Sequence, residues 1–94
     1  MAVLTVFEVH GDSDEIMRVM GEVFGPENEA LAKEHGAVSN TVAKTDDGVL
    51  VVNHWENEEG MEAFGALMRP KAEASGIGPQ VGWRMYEVLQ HRVP

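Results

Sequence analysis

The sequence predicts an α+β fold with the element order β-α-β-β-α-β, the split βαβ or ferredoxin-like arrangement. Three observations lead there. Residues 3–10 and 49–56 are rich in β-branched and aromatic types and are bounded by turn residues. The stretches that follow each of them carry apolar residues at helical spacing. Asp46-Asp47-Gly48 separates two strand-like runs by a turn, as in a hairpin.

The first strand, residues 3–10, ends at Gly11-Asp12. Asp12 is placed to cap a helix, and Glu15 three residues on completes a capping box. Ile16, Met20, Val23 and Phe24 recur on one helical face. Gly25-Pro26 predicts a break and a restart, because proline suits a first helical position. Leu31 is expected on the buried side of the second piece. Lys33, His35 and Gly36 suit the helix end: the cations face its negative pole and the glycine supplies a left-handed cap. His35 therefore has a structural task.

Residues 38–44 read as a weaker second strand and 49–56 as the strongest strand of the chain. Asn57, Glu58 and Glu59 open the second helix of the pattern. Met61, Phe64, Leu67 and Met68 form its expected buried stripe. Pro70 is placed to kink or end it, with a possible continuation to Ser75-Gly76. The last strand is expected over 83–93. The right-handed crossover rule leads to the expectation that strands one and three lie side by side and parallel, with the helices on one face.

With 94 residues, one domain over 1–94 is expected. There is no cysteine, which excludes disulfides, thiolate metal sites and a cysteine nucleophile. No run reaches the roughly 20 apolar residues of a membrane span. The start, Met1-Ala2-Val3-Leu4-Thr5, has no basic region, so the expected location is cytoplasmic. Seven basic residues against 16 acidic give a net charge of −9, which repels phosphate backbones and anionic membranes. Neither nucleic acid nor membrane is an expected partner. Six methionines are many for this length, and they fill irregular space or adapt to flat apolar guests.

A sheet covered by helices on one side should read polar on the other if it met water. Here Val3, Thr5, Phe7 and Val9 alternate with Leu4, Val6, Glu8 and His10. Val49, Val51, Asn53 and Trp55 alternate with Leu50, Val52, His54 and Glu56. Both sets begin apolar, so both faces are expected to be buried. An identical chain is the simplest cover, and a homodimer is predicted.

The segment Val51-Val52-Asn53-His54-Trp55-Glu56, followed by Asn57-Glu58-Glu59-Gly60-Met61-Glu62-Ala63-Phe64, resembles the antibiotic biosynthesis monooxygenase family. The final Met85-Tyr86-Glu87-Val88-Leu89 resembles that family's last strand. The resemblance implies a dimeric α+β barrel, with sheets back to back and a ligand cavity between each sheet and its helices. It also implies cofactor-independent oxygenases of phenolic or quinol-like substrates, haem-degrading enzymes, and members without known reaction. Fold alone does not choose among these.

Asn53 and Trp55 should share a face with Phe7, and the resemblance makes that the cavity side. An amide and an indole there can orient a flat substrate and stabilise its anion, as candidate catalytic residues. Phe7, Phe64 and Met68 are candidate substrate-binding residues. Arg84 and Tyr86 are further candidates, although the inward face of the last strand stays open. Haem turnover is not expected. Haem-degrading relatives share a first-strand asparagine, the tryptophan and a second-helix histidine; here Thr5 holds the first position and that helix has no histidine. Phe64 lies near the expected ligand place.

His10 and His54, with Glu8 and Glu56, are expected near one end of the sheet. They read as a zinc or proton-transfer site or, preferred, as a polar rim of the dimer interface. No metal and no other cofactor is expected, and His91 is expected in solvent. Phosphate-loop, zinc-protease and serine-hydrolase motifs do not occur. The function expected is a small cofactor-independent monooxygenase acting on a phenolic, quinone-like or polyketide substrate. The alternative is a non-catalytic dimeric module that binds a small aromatic or apolar ligand or serves as an interaction unit.

Overall fold

The computed structural model describes residues 1–94. In chain order the elements are β1 (Val3–His10), α1 (Ser13–Val23), α2 (Pro26–Glu34), β2 (Ala37–Lys44), β3 (Gly48–Trp55), α3 (Glu58–Ser75) and β4 (Val81–Glu87). The strands form one sheet in the order β2-β3-β1-β4. This is the ferredoxin-like α+β arrangement, with its first helix divided in two at Gly25-Pro26.

Every neighbouring pair in the sheet is antiparallel, including β1 with β3. The expectation of parallel first and third strands is therefore corrected. The crossover rule governs β1 and β2, which do run the same way. The hairpin at Asp46-Asp47-Gly48 then reverses the chain and slots β3 between them, so the neighbours run in opposite directions. Gly48 makes the turn possible: its φ is 156°, and a Cβ there would stand 2.1 Å from the Val9 carbonyl oxygen.

One sheet face carries all three helices. Val3, Thr5, Phe7 and Val9 are buried on it, in strict alternation with half-buried Leu4, Val6 and Glu8. Two apolar clusters lie under the helices. Val3, Val19, Val23, Trp55, Phe64 and Met68 form one; Phe7, Val9, Ile16, Val49 and Val51 form the other. Leu31 and Met85 pack against the first, and Ile77 touches both. Each fully buried side chain of this kind stabilises the fold by about 1.5–3 kcal/mol. In α3, Phe64 and Met68 are buried, but Leu67 is 51% exposed, because its position turns it off the inner stripe. Pro70 does not end α3, which runs on to Ser75 and stops at the left-handed Gly76.

Asp12 caps α1, its carboxylate accepting the Glu15 N–H at 3.0 Å. The reciprocal half of the capping box does not form. The Glu15 carboxylate instead takes Arg18, which also bonds Glu22. That contact lowers the Glu15 carboxyl below its ordinary value, chiefly through the hydrogen bond from Arg18.

The end of α2 is tied to the start of α3. His35 closes α2, with its Nδ1 2.8 Å from the Leu31 carbonyl, and Gly36 follows in the left-handed region. The Glu56 N–H donates to the Gly36 carbonyl at 2.8 Å. Asn57 caps α3 by accepting the Gly60 N–H at 2.6 Å. A Cβ on Gly60 would lie 1.9 Å from the His35 carbonyl oxygen, so only glycine allows the two helix ends to meet this closely.

β4 begins at Val81, ahead of the expected start, and ends at Glu87, short of Val93. Beyond it Val88 still donates its N–H to the Ala2 carbonyl, and then the chain leaves the ladder.

Candidate functional site

A cavity of about 840 Å³ opens between α1, α2 and the helix-covered face of β2 and β3. Its position follows from the split helix. The break at Gly25-Pro26 swings α2 toward the β2 edge, and α2 itself buries no residue fully. The space between that helix and the sheet is left for the cavity.

Parity sets the floor. Phe7, Val51, Asn53 and Trp55 point to this side, and all four line the cavity. Phe24, Phe64 and Trp55 form one aromatic wall: ring centroids are 6.4 Å apart for Phe24 and Phe64 and 5.5 Å for Phe64 and Trp55. His35 stacks against Phe64 from outside, at 6.1 Å. Met17 and Met20 line the α1 side, with Met17 48% exposed at the mouth. The volume and the lining suit a flat apolar molecule with a few polar atoms.

The polar content is small and specific. Asn40 on β2 lies directly across from Asn53 on β3, and its Nδ2–H donates to Asn53 Oδ1 at 2.5 Å. Both line the cavity. Trp55 is 6% exposed, and its buried indole N–H has no hydrogen-bond partner in the protein. A buried donor left unpaired costs free energy, about 1–3 kcal/mol, until a partner arrives. The ionisable lining residues are Glu29 and Lys33 on α2; the others are neutral. No carboxylate, imidazole or thiol reaches the floor.

Asn40 was not among the residues singled out from the sequence. Its signal was the hairpin turn: counting back from Asp47-Gly48 pairs Lys44 with Val49, Val42 with Val51 and Asn40 with Asn53.

The remaining sequence-derived candidates lie elsewhere. Met68 is 4% exposed in the core cluster beneath Trp55 and Phe64 and does not line the cavity. Arg84 and Tyr86 pair with Val6 and Leu4, which puts them on the helix-free face, away from the cavity. Met85, paired with Thr5, points inward from β4.

The expected gathering of His10, His54, Glu8 and Glu56 does not occur. In the antiparallel register His10 pairs with Gly48, while His54 pairs with Leu4. The two histidines are therefore at opposite ends of β1, separated by about 20 Å at the usual strand rise. His10 keeps only Glu8, with its Nε2 4.0 Å from Oε1. His54 is buried on the helix-free face under His91, whose ring centroid is 4.5 Å away in an edge-on contact. His91, expected in solvent, thus packs on His54 while staying exposed. No three acidic or imidazole side chains converge as a metal-holding group. No helix is long and apolar enough to cross a membrane.

No protein-family model matches the chain, and no curated protein matches it. Solved structures do. A dimeric ferredoxin-like protein from an uncultured marine organism superposes with a TM-score of 0.73 at 10% identity, over 99% of this chain and 98% of that one. A proposed antibiotic biosynthesis monooxygenase from Chloroflexus aurantiacus gives 0.72 at 16% identity, over 99% and 98%. SnoaB, a cofactor-independent oxygenase from Streptomyces nogalater, gives 0.64 at 18% identity, over 96% and 93%. Identities this low carry the fold and nothing finer, and on that ground the chain has the ferredoxin-like fold that these oxygenases share.

Proposed function

We propose that the chain is a homodimeric, cofactor-independent monooxygenase of flat phenolic, quinone-like or polyketide substrates, bound in the cavity beside Trp55. The observation that carries this reading is the aromatic wall of Phe24, Phe64 and Trp55 beside the Asn53 amide in one cavity. A planar ring fits the Phe24, Phe64 and Trp55 surfaces, and the Asn53 amide offers a donor to an oxygen on that ring.

In such a reaction the substrate supplies the electrons. Its phenolate or enolate passes one electron to dioxygen, the radicals recombine as a peroxide, and water leaves. Two C–H bonds at one carbon are replaced by C=O, and the second oxygen atom departs as that water. The chain's own task is to hold the anion with N–H donors, orient the ring and exclude bulk water. The fold that it shares with SnoaB supports the reading.

The homodimer is supported by the helix-free face. Leu4, Val6, Leu50 and Val52 lie there, half-buried, with Tyr86 51% exposed beside them. Only 15 of 94 residues are buried in one chain, so much apolar surface is left for a partner. A stable interface needs about 1,200–2,000 Å² in total.

A second reading has an observation of its own. The cavity floor lacks an ionisable side chain to take a proton, which suits a non-catalytic binding module equally well. Titration of a Trp83→Phe protein with hydroxynaphthoquinones, followed by Trp55 fluorescence, tests for binding. Oxygen consumption with a reduced, anthrone-type phenol then separates the two. Saturable quenching with oxygen uptake supports the enzyme. Quenching without uptake supports the module. Absence of quenching overturns both.

A further inference from the structure

The hydrogen bond between Asn40 and Asn53 has a direction, and that direction matters for what the cavity can recognise. A carboxamide shows a donor end and an acceptor end of nearly the same shape. A free amide turns to suit either kind of ligand and so discriminates little. Asn53 is not free. Its Oδ1 is engaged by the Asn40 Nδ2–H, from the residue directly opposite on β2. The end of Asn53 left to a ligand is the Nδ2 with its N–H groups. The Trp55 N–H, on the same face of β3, has no protein partner either. Both groups can only donate.

We infer that Asn40 is a positioning residue: it fixes the Asn53 amide with its N–H groups toward the cavity, so that the site holds an anionic oxygen, a phenolate or enolate, more tightly than the neutral oxygen of the corresponding ether. This rests on the ligand-binding reading given above and deepens it to a substrate class. It also supplies a reason for anion preference in a chain whose net charge is −9, where the overall field opposes one. The charged groups at the cavity, Glu29 and Lys33, both lie on α2 rather than on the strands that carry Asn40 and Asn53.

Lawsone and its methyl ether make the test. They share one ring system, but at neutral pH the first is an anion and the second is neutral and has no ionisable oxygen. Binding of each is measured by calorimetry at one pH and salt concentration, in the wild-type protein, Asn40→Ala and Asn40→Gln. Asn40 is exposed on an edge strand, so both variants are expected to fold, and circular dichroism checks it. The wild type should hold lawsone about tenfold more tightly than the ether, the range of a hydrogen bond to a charged group. Asn40→Ala should bring the two affinities together, and Asn40→Gln, which keeps an amide donor, should restore part of the preference. Equal wild-type affinities overturn the inference and leave the binding reading intact. A preference that survives Asn40→Ala unchanged removes Asn40 from it. Failure of the wild type to bind either compound overturns the binding reading and this inference with it.

Discussion

Replacing Gly60 by alanine puts one methyl group where the backbone leaves no room. The new Cβ would stand 1.9 Å from the His35 carbonyl oxygen and 3.1 Å from Asn57 Oδ1. The first of these is a backbone atom, so no rotamer change relieves it. The start of α3 must withdraw from the end of α2. Overpacking of this kind costs about 1–3 kcal/mol. Withdrawal also strains the Asn57 cap, which contributes about 1 kcal/mol. Against this, alanine in a helix gains about 0.5–1 kcal/mol over glycine. The net expectation is a loss of about 1–3 kcal/mol. For a chain of this size that corresponds to a fall in Tm of about 4–8 °C per kcal/mol. Gly65 in the same helix is the control, because a Cβ there meets nothing within 4 Å. Gly65→Ala should keep the propensity gain alone and stabilise by about 0.5–1 kcal/mol. Urea denaturation at one fixed protein concentration reads both. A Gly60→Ala protein as stable as the wild type, or one that gains as Gly65→Ala does, refutes the close approach.

Other consequences are as direct. Asp12→Ala removes the α1 cap and should cost about 1 kcal/mol in the same denaturation assay. The Glu15 carboxyl should titrate below an ordinary glutamate by carbon-detected NMR, and Arg18→Ala should return it toward the ordinary value. Because that carboxyl is lowered in the folded chain, the associated stability is present above the unfolded-state value and is lost as pH falls through the folded one. Val52→Glu places a charge in the helix-free face, and sedimentation equilibrium should then give a single species near 10.3 kDa in place of the proposed dimer.

Much of the frame was readable from local chemistry. Asp12, Gly25-Pro26, Gly36 and Asn57 mark helix ends whatever the tertiary context, since each answers a need of the adjacent backbone. Alternation likewise puts Phe7 on the side of Val3 and Trp55 on the side of Asn53, because side chains two apart share a face. What stayed hidden was non-local. The direction of β3 against β1 depends on which strand enters the gap between β1 and β2. Reading that pair as parallel put His10 and His54 at one end of the sheet, when the register holds them apart. The face of Arg84 and Tyr86 depends on the β4 register, which shifts between Val6 and Glu8 and includes Gly82 at φ 65°. No period within β4 itself reports such an irregularity. Trp55's empty N–H was invisible for the same reason: a missing partner is a property of the surroundings, not of the residue.

The wall of the cavity that carries Asn40 is β2, an edge strand with a single neighbour and largely exposed side chains. Strands of that kind are the first to open in native-state fluctuations. The floor, by contrast, belongs to β3, held on both sides and buried at Val49 and Val51. One half of the amide pair therefore sits on the most easily frayed part of the sheet and the other on its firmest. A ligand of the proposed kind that bridged the two strands would act as a clasp, and its occupancy should be recorded in slowed amide hydrogen exchange along residues 38–42 while β3 is left unchanged.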